Sequence, residues 1–116
     1  MKEKRKFKRL DLNLPASLQP FDDDNISFGS VLNISASGLG ILANDNMQAG
    51  ERISCKLETP QGKRFSLLGE VRWVKDWPVL ATTQYKMGFK LIGAVNSSVD
   101  AFSQFYYEQL NQALSP

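Results

Sequence analysis

Short segments in which apolar and polar residues alternate are the feature that most constrains how this chain folds. The clearest is RISCKLET (52–59), where Ile53, Cys55 and Leu57 share one side and the polar residues share the other. A period of two residues is that of a half-buried β-strand. A Pro-Gln-Gly turn then leads into the long segment KRFSLLGEVRWVKDW (63–77). The sequence therefore predicts strands joined by short turns.

Six segments of the chain have this strand character. Turn-forming clusters separate them, such as the Asp-Asp-Asp-Asn run of residues 22–25 and the Ser-Gly pair of residues 37–38. Short strands at this spacing are typical of a sandwich or a small barrel. We interpret the fold as mainly β, a six-stranded antiparallel β-barrel. The predicted strands are 14–21, 26–35, 39–43, 52–59, 63–77 and 81–93.

The C-terminal segment changes from a period of two to a helical period. Ser97 and Ser98 offer an N-cap, and Asp100 follows within the first turn. We expect one amphipathic helix, whose apolar face covers a barrel opening or meets a second subunit. The residues of that face are Ala101, Phe102, Phe105, Tyr106, Leu110, Ala113 and Leu114. The predicted organisation is an arm over residues 1–13, a barrel over 14–95 and a helix over 96–116.

Charge is distributed unevenly along the chain. The 116 residues carry a formal net charge of only +2. Residues 1–9 hold six Lys or Arg and one Glu, a net of +5, whereas residues 10–116 hold eight basic and eleven acidic residues, a net of −3. Repulsion among these basic residues and their terminal position predict that this segment is a flexible arm. A basic arm on an acidic barrel indicates that an anionic partner binds at the arm.

Composition argues against several classes of protein. The chain has no histidine and a single cysteine, Cys55, so the commonest general base and any zinc constellation are missing. The acidic residues show no paired catalytic spacing, and we predict neither an enzyme, a catalytic residue, a metal site nor a cofactor. No stretch reaches the ~20 apolar residues of a membrane span. The charged N-terminus does not resemble a signal peptide, so we expect a cytoplasmic protein without membrane attachment.

The stretch NISASGLG (33–40) is the best candidate for meeting the arm. If it is extended, Asn33, Ser35 and Ser37 project from one side. Their short polar groups can bond a base edge or a phosphate oxygen. Gly38 would allow a turn with positive φ and the close approach of a flat ligand. Alternatively, these side chains bond their own backbone at a hairpin end, as Asn and Ser often do.

Four stretches together resemble one known family, the PilZ domains. RKFKR (5–9) matches the RxxxR motif of that family, and NISASG (33–38) matches its (D/N)xSxxG motif. GEVRWV (69–74) and YKMGFKL (85–91) look like its later strands. The resemblance runs from about Arg5 to Leu91, with the first two motifs in the customary order.

The resemblance implies a small β-barrel that binds the bacterial second messenger cyclic di-GMP (c-di-GMP). It implies that Arg5 and Arg9 clamp guanine edges and phosphates, while the second motif receives a guanine. Trp73 would form an apolar or stacking wall beside the ligand. An arginine can fork to guanine, pair with phosphate and stack, whereas the lysines of the arm supply only charge. The implied ligand-binding residues are Arg5, Arg9, Asn33, Ser35 and Gly38.

We therefore expect a single-domain sensor or adaptor whose arm closes over c-di-GMP and signals to a downstream protein. One alternative is a degenerate PilZ domain that serves only as a protein-interaction module. Another is a nucleic-acid-binding small barrel. Nucleic acid is disfavoured because the barrel is acidic and its aromatic residues form no clear exposed stripe in the sequence. Those aromatic residues are Phe65, Trp73, Tyr85 and Phe89.

Overall fold

A computed structural model describes residues 10–79, 82–94 and 98–114 of the chain. All six predicted strands and the terminal helix are present. They are β1 (Leu10–Pro20), β2 (Ser27–Ser35), β3 (Gly38–Ala43), β4 (Arg52–Glu58), β5 (Arg64–Val79), β6 (Thr82–Ala94) and α1 (Ser98–Leu114).

The beginning of β1 differs from the prediction. Residues 10–13, which we assigned to the arm from the sequence, are the first residues of this strand. Leu10 is buried and pairs with Ile34 of β2, so burial of an apolar side chain extends the strand toward the N-terminus. The rest of the predicted arm, with Arg5 and Arg9, lies outside the described residues.

The strands form a closed antiparallel barrel in the order β1-β2-β3-β6-β5-β4, with β4 returning to pair with β1. Of the two architectures that the strand spacing allowed, the structure is therefore the barrel. Closure pairs each of these strands on both sides, so their backbone groups are satisfied without an open sheet edge.

The barrel interior is apolar, as the alternation predicts. Ile53, Cys55 and Leu57 of β4 all point inward and are almost wholly buried. Burying an aliphatic side chain of this size stabilises the fold by about 1.5–3 kcal/mol. Burial also raises the pKa of the Cys55 thiol to about 12, so the thiol stays protonated at neutral pH.

Helix α1 covers one end of the barrel. Its Phe102 and Phe105 rings lie 6.0 and 5.5 Å from the ring of Phe65, an inward-facing residue of β5. Tyr106 is buried beside them. Covering the barrel is thus the role that the structure shows for the apolar face of the helix.

Two β-bulges change which side chains face outward. The β2–β3 register shifts between Val31 and Asn33, and the β5–β6 register shifts between Val71 and Trp73. In each case the earlier residue is fully buried in the core. The extra residue moves the later one to the outer face instead.

Candidate ligand-binding site

Four residues on four adjacent strands form a row across the outer face of the barrel. Asn33 of β2 pairs with Gly40 of β3, Gly40 pairs with Gly88 of β6, and Gly88 pairs with Trp73 of β5. We call these four residues the motif row. Neighbouring strands lie about 4.8 Å apart, so the row is about 14 Å long. That length is sufficient for a flat heterocyclic ligand.

The two glycines of the motif row form its floor. A Cβ at Gly40 would lie 2.5 Å from Nδ2 of Asn33, so the Asn33 amide covers that position. A Cβ at Gly88 would overlap the indole of Trp73, which therefore lies across β6. The Trp73 side chain remains 47% exposed. The arrangement offers an amide at one end of a flat surface and an indole at the other.

The second motif has the facing that its alternation predicts. Ile34 is wholly buried in the core, whereas the strand register places Asn33 and Ser35 on the other side of β2. Ser35 is nevertheless buried, with only 2% of its surface exposed, and Asn33 is partly exposed. The Ser35 hydroxyl accepts a hydrogen bond from the Ser37 backbone N–H at 3.4 Å and lies 3.3 Å from the Ser37 hydroxyl. The alternative of local backbone bonding is thus realised at Ser35.

The positive φ that we expected at Gly38 is wrong. The described glycines with positive φ are Gly50 and Gly62, whereas Gly38 is the first residue of β3. A Cβ at Gly38 would overlap the backbone carbonyl oxygen of Phe89 on β6. Close contact between strands, and not a turn, therefore accounts for glycine at this position. Its part in ligand binding stays a prediction.

The start of β1 lies directly beside the second motif. Leu10 pairs with Ile34, and Asp11 pairs with Asn33. Arg9 immediately precedes Leu10, the first residue of this strand. The described start of β1 therefore lies beside the second motif at one edge of the motif row, while the first motif itself lies outside the described residues.

Two contributions to this face were not anticipated from the sequence. Gly40 and Gly88 had no assigned role, although glycine inside a strand often marks the close approach of another group. The exposure of Trp77, at 42%, was also not anticipated, whereas Trp73, expected as a wall, is 47% exposed. Sequence alone could not separate them from Phe65, which is buried.

Other kinds of site find no support in the described parts of the chain. No helix in residues 10–79, 82–94 or 98–114 has the length and apolar content needed to cross a bilayer. Over the same ranges, the cysteine and carboxylate side chains do not gather in groups of three that would hold a metal ion.

A closed six-stranded antiparallel barrel with a helix over one end defines a small β-barrel domain. The profile of the PilZ domain family matches residues 3–107. The chain belongs to the PilZ domain family.

Several solved structures have the same fold. The Bacillus subtilis inhibitor of motility (MotI/DgrA) has 19% identity and a TM-score of 0.75, over 98% of this chain and 55% of that chain. The PilZ domain of Escherichia coli YcgR, solved with c-di-GMP, has 13% identity and a TM-score of 0.75, over 96% of this chain and 95% of that one.

A third structure, Borreliella burgdorferi PlzA in complex with c-di-GMP, has 11% identity and a TM-score of 0.59, over 94% of this chain and 54% of that chain. This chain thus spans about half the length of the Bacillus and Borreliella proteins. At these identities the likeness establishes the fold alone. Among curated protein sequences, no significant match is found.

Proposed function

We propose that this protein binds c-di-GMP on the outer face of its barrel and acts as a sensor or adaptor module. Membership of the PilZ domain family supports this ligand, as do the two structures named above that were solved with c-di-GMP.

One observation supports the proposal: β1, which begins directly after Arg9 in the sequence, pairs with β2 beside the second motif. Leu10, bonded to Arg9, pairs with the residue between Asn33 and Ser35. An arginine at this position would be near a group bound at the Asn33 end of the motif row. A basic patch placed elsewhere on the barrel would offer only long-range attraction.

The chemistry of the ligand suits this surface. Cyclic di-GMP carries two guanines and two phosphates. The Asn33 amide offers both a donor and an acceptor to a guanine edge. The exposed indole of Trp73 offers an apolar surface for the planar base. Arg5 and Arg9 would supply the forked contacts to guanine O6 and N7 and to phosphate.

In the proposed mechanism, the arm closes over the bound ligand. The neighbouring lysines attract the anion, and the two arginines hold it by directed hydrogen bonds. Closure creates a surface that includes both arm and ligand, and a downstream protein recognises that surface.

Calorimetric titration of the chain with c-di-GMP, GTP and a short single-stranded oligonucleotide tests the ligand. We expect c-di-GMP to bind in preference to the other two. Arg9→Ala should weaken binding at least about tenfold, equivalent to about 1.4 kcal/mol. Lys2→Ala should change it less than about threefold, since an isolated exposed charge contributes little.

Arg9→Lys is the matched variant, because it keeps the charge and loses the planar fork. Its binding should resemble that of Arg9→Ala. Full affinity in Arg9→Lys, or equal losses in Arg9→Ala and Lys2→Ala, would mean that the arm acts only through charge. An absence of c-di-GMP binding by the unaltered chain would overturn the proposal and favour an interaction module without ligand.

A further inference from the structure

The outer face of β5 and β6 continues beyond the motif row. Trp73, Lys75 and Trp77 follow one another at every second position of β5, and Lys86 of β6 pairs with Lys75. We call these four residues the Trp–Lys face. Both indoles are more than 40% exposed, at 47% for Trp73 and 42% for Trp77. Trp73 belongs to both the motif row and the Trp–Lys face.

The charges on the Trp–Lys face are not compensated within the described chain. Lys75 and Lys86 lie directly opposite each other, and like charges in that position are destabilising. Neither ammonium pairs with a carboxylate of the described residues. By contrast, Lys90, four residues after Lys86 on β6, lies opposite Glu70. The uncompensated pair indicates an acidic group that comes from outside.

The position of Lys86 decides between two kinds of anionic partner. Its ammonium lies over the ring of Trp77, 4.8 Å from the ring centroid. A stacked nucleic-acid base would have to displace that cation from the ring. A carboxylate can instead bind the ammonium where it lies, while an apolar side chain contacts the exposed parts of the indoles. The arrangement therefore favours an acidic protein segment over a nucleic acid.

We propose that the Trp–Lys face is the docking surface for an acidic segment of a partner protein that also carries apolar side chains. Exposed tryptophans are the kind of residue on which binding energy concentrates at protein interfaces. Because Trp73 is shared with the motif row, c-di-GMP bound there alters the affinity for the acidic segment. This coupling rests on the proposed function, whereas the docking surface does not.

Selection of a random dodecapeptide library on phage against the full chain tests the proposal. The selection is run with and without c-di-GMP, and affinities of the selected peptides follow from fluorescence anisotropy. We expect peptides enriched in Asp and Glu together with apolar residues. Replacing their acids by Asn and Gln should abolish binding. Saturating c-di-GMP should change their affinity at least threefold.

Variants of the chain locate the binding surface. Lys86→Glu and Trp77→Ala should each weaken peptide binding at least tenfold. Lys56→Glu makes the same charge change on β4, and Tyr107→Ala removes an aromatic ring that is 49% exposed on α1. These two controls should change peptide affinity less than twofold. Circular dichroism verifies that all four variants remain folded.

Three results would overturn the docking proposal. They are a selection without acidic bias, peptide binding that survives Lys86→Glu, and binding of a labelled single-stranded oligonucleotide that Trp77→Ala removes. Calorimetry with c-di-GMP keeps the two proposals separate, since Lys86→Glu should bind the nucleotide normally. Peptide docking without any c-di-GMP binding would refute the proposed function and the coupling but leave the docking surface standing.

Discussion

Two outer faces of the same barrel differ in how their cross-strand rows are built. On the motif row, Asn33 and Trp73 lie across positions where the neighbouring strands have only glycine. On the outer face of β1, β4 and β5, the corresponding row is Ser17, Lys56 and Ser66, each with its own side chain. Glycines on β3 and β6 therefore leave room on the outer face for the Asn33 amide and the Trp73 indole, where we propose that the ligand binds.

The same two faces also differ in the contacts that their side chains make. On the β4–β5 side, Glu58 and Arg64 form an ion pair at 2.9 Å, and both side chains are well exposed. Such a pair contributes about 0–1 kcal/mol. Near the motif row, the glycine positions are limited by backbone and indole contacts. Substitutions should therefore be tolerated on the β4–β5 side and not at the glycines of the motif row.

Gly38→Ala should produce the largest effect on stability. The new Cβ would overlap the Phe89 carbonyl oxygen, which belongs to the paired backbone and cannot move without disturbing β6. We expect the free energy of unfolding to fall by about 2–3 kcal/mol, measured by chemical denaturation. Gly93→Ala is the control, because its nearest neighbours are two Leu68 atoms at 3.9 Å. Equal stability of Gly38→Ala and Gly93→Ala would mean that the contact with the Phe89 carbonyl does not constrain Gly38.

Gly88→Ala should affect binding more than folding, because the Cβ would displace an indole and not a backbone atom. We expect c-di-GMP affinity to fall about tenfold, or about 1.4 kcal/mol, in calorimetric titrations. Gly93→Ala on the same strand should bind normally. The chain has two tryptophans, so in a Trp77→Phe background the fluorescence reports Trp73 alone. An unchanged emission spectrum in Gly88→Ala would show that the indole had not moved.

The smallest effect is expected on the outer face of β1, β4 and β5. Glu58→Gln removes the ion pair with Arg64 and should lower stability by less than about 0.5 kcal/mol, with c-di-GMP affinity unchanged. Denaturation at low and at high salt checks this, since screening should erase the difference. A loss above 1 kcal/mol would mean that this face is as constrained as the motif row.

Much of the fold could be predicted because its signals are local. Alternation identified the strands, since one side of each packs in the barrel, and a helical period identified α1. The start of β1 was missed because a register irregularity between Asp11 and Leu14 interrupts the alternation just after the charged arm. Burial of Leu10 is a tertiary effect that the local pattern does not contain.

The candidate site was predictable only in part. Asn33 and Ser35 were identified because their spacing within one strand is a sequence property. The contact of Trp73 with Gly88 depends on the register between β5 and β6, and a bulge sets that register. The positive φ expected at Gly38 was wrong because the constraint there comes from Phe89, fifty-one residues later in the chain.

The two bulges make the site depend on residue number as well as residue identity. Asn33 and Trp73 each follow a single extra residue, Leu32 and Arg72, that resets the inward-outward order of the strand. Deleting either residue would turn the following side chain toward the barrel interior. A relative that keeps the RxxxR and (D/N)xSxxG motifs but has one residue fewer before its tryptophan would thus still match both motifs. It would lack the exposed indole beside the ligand site.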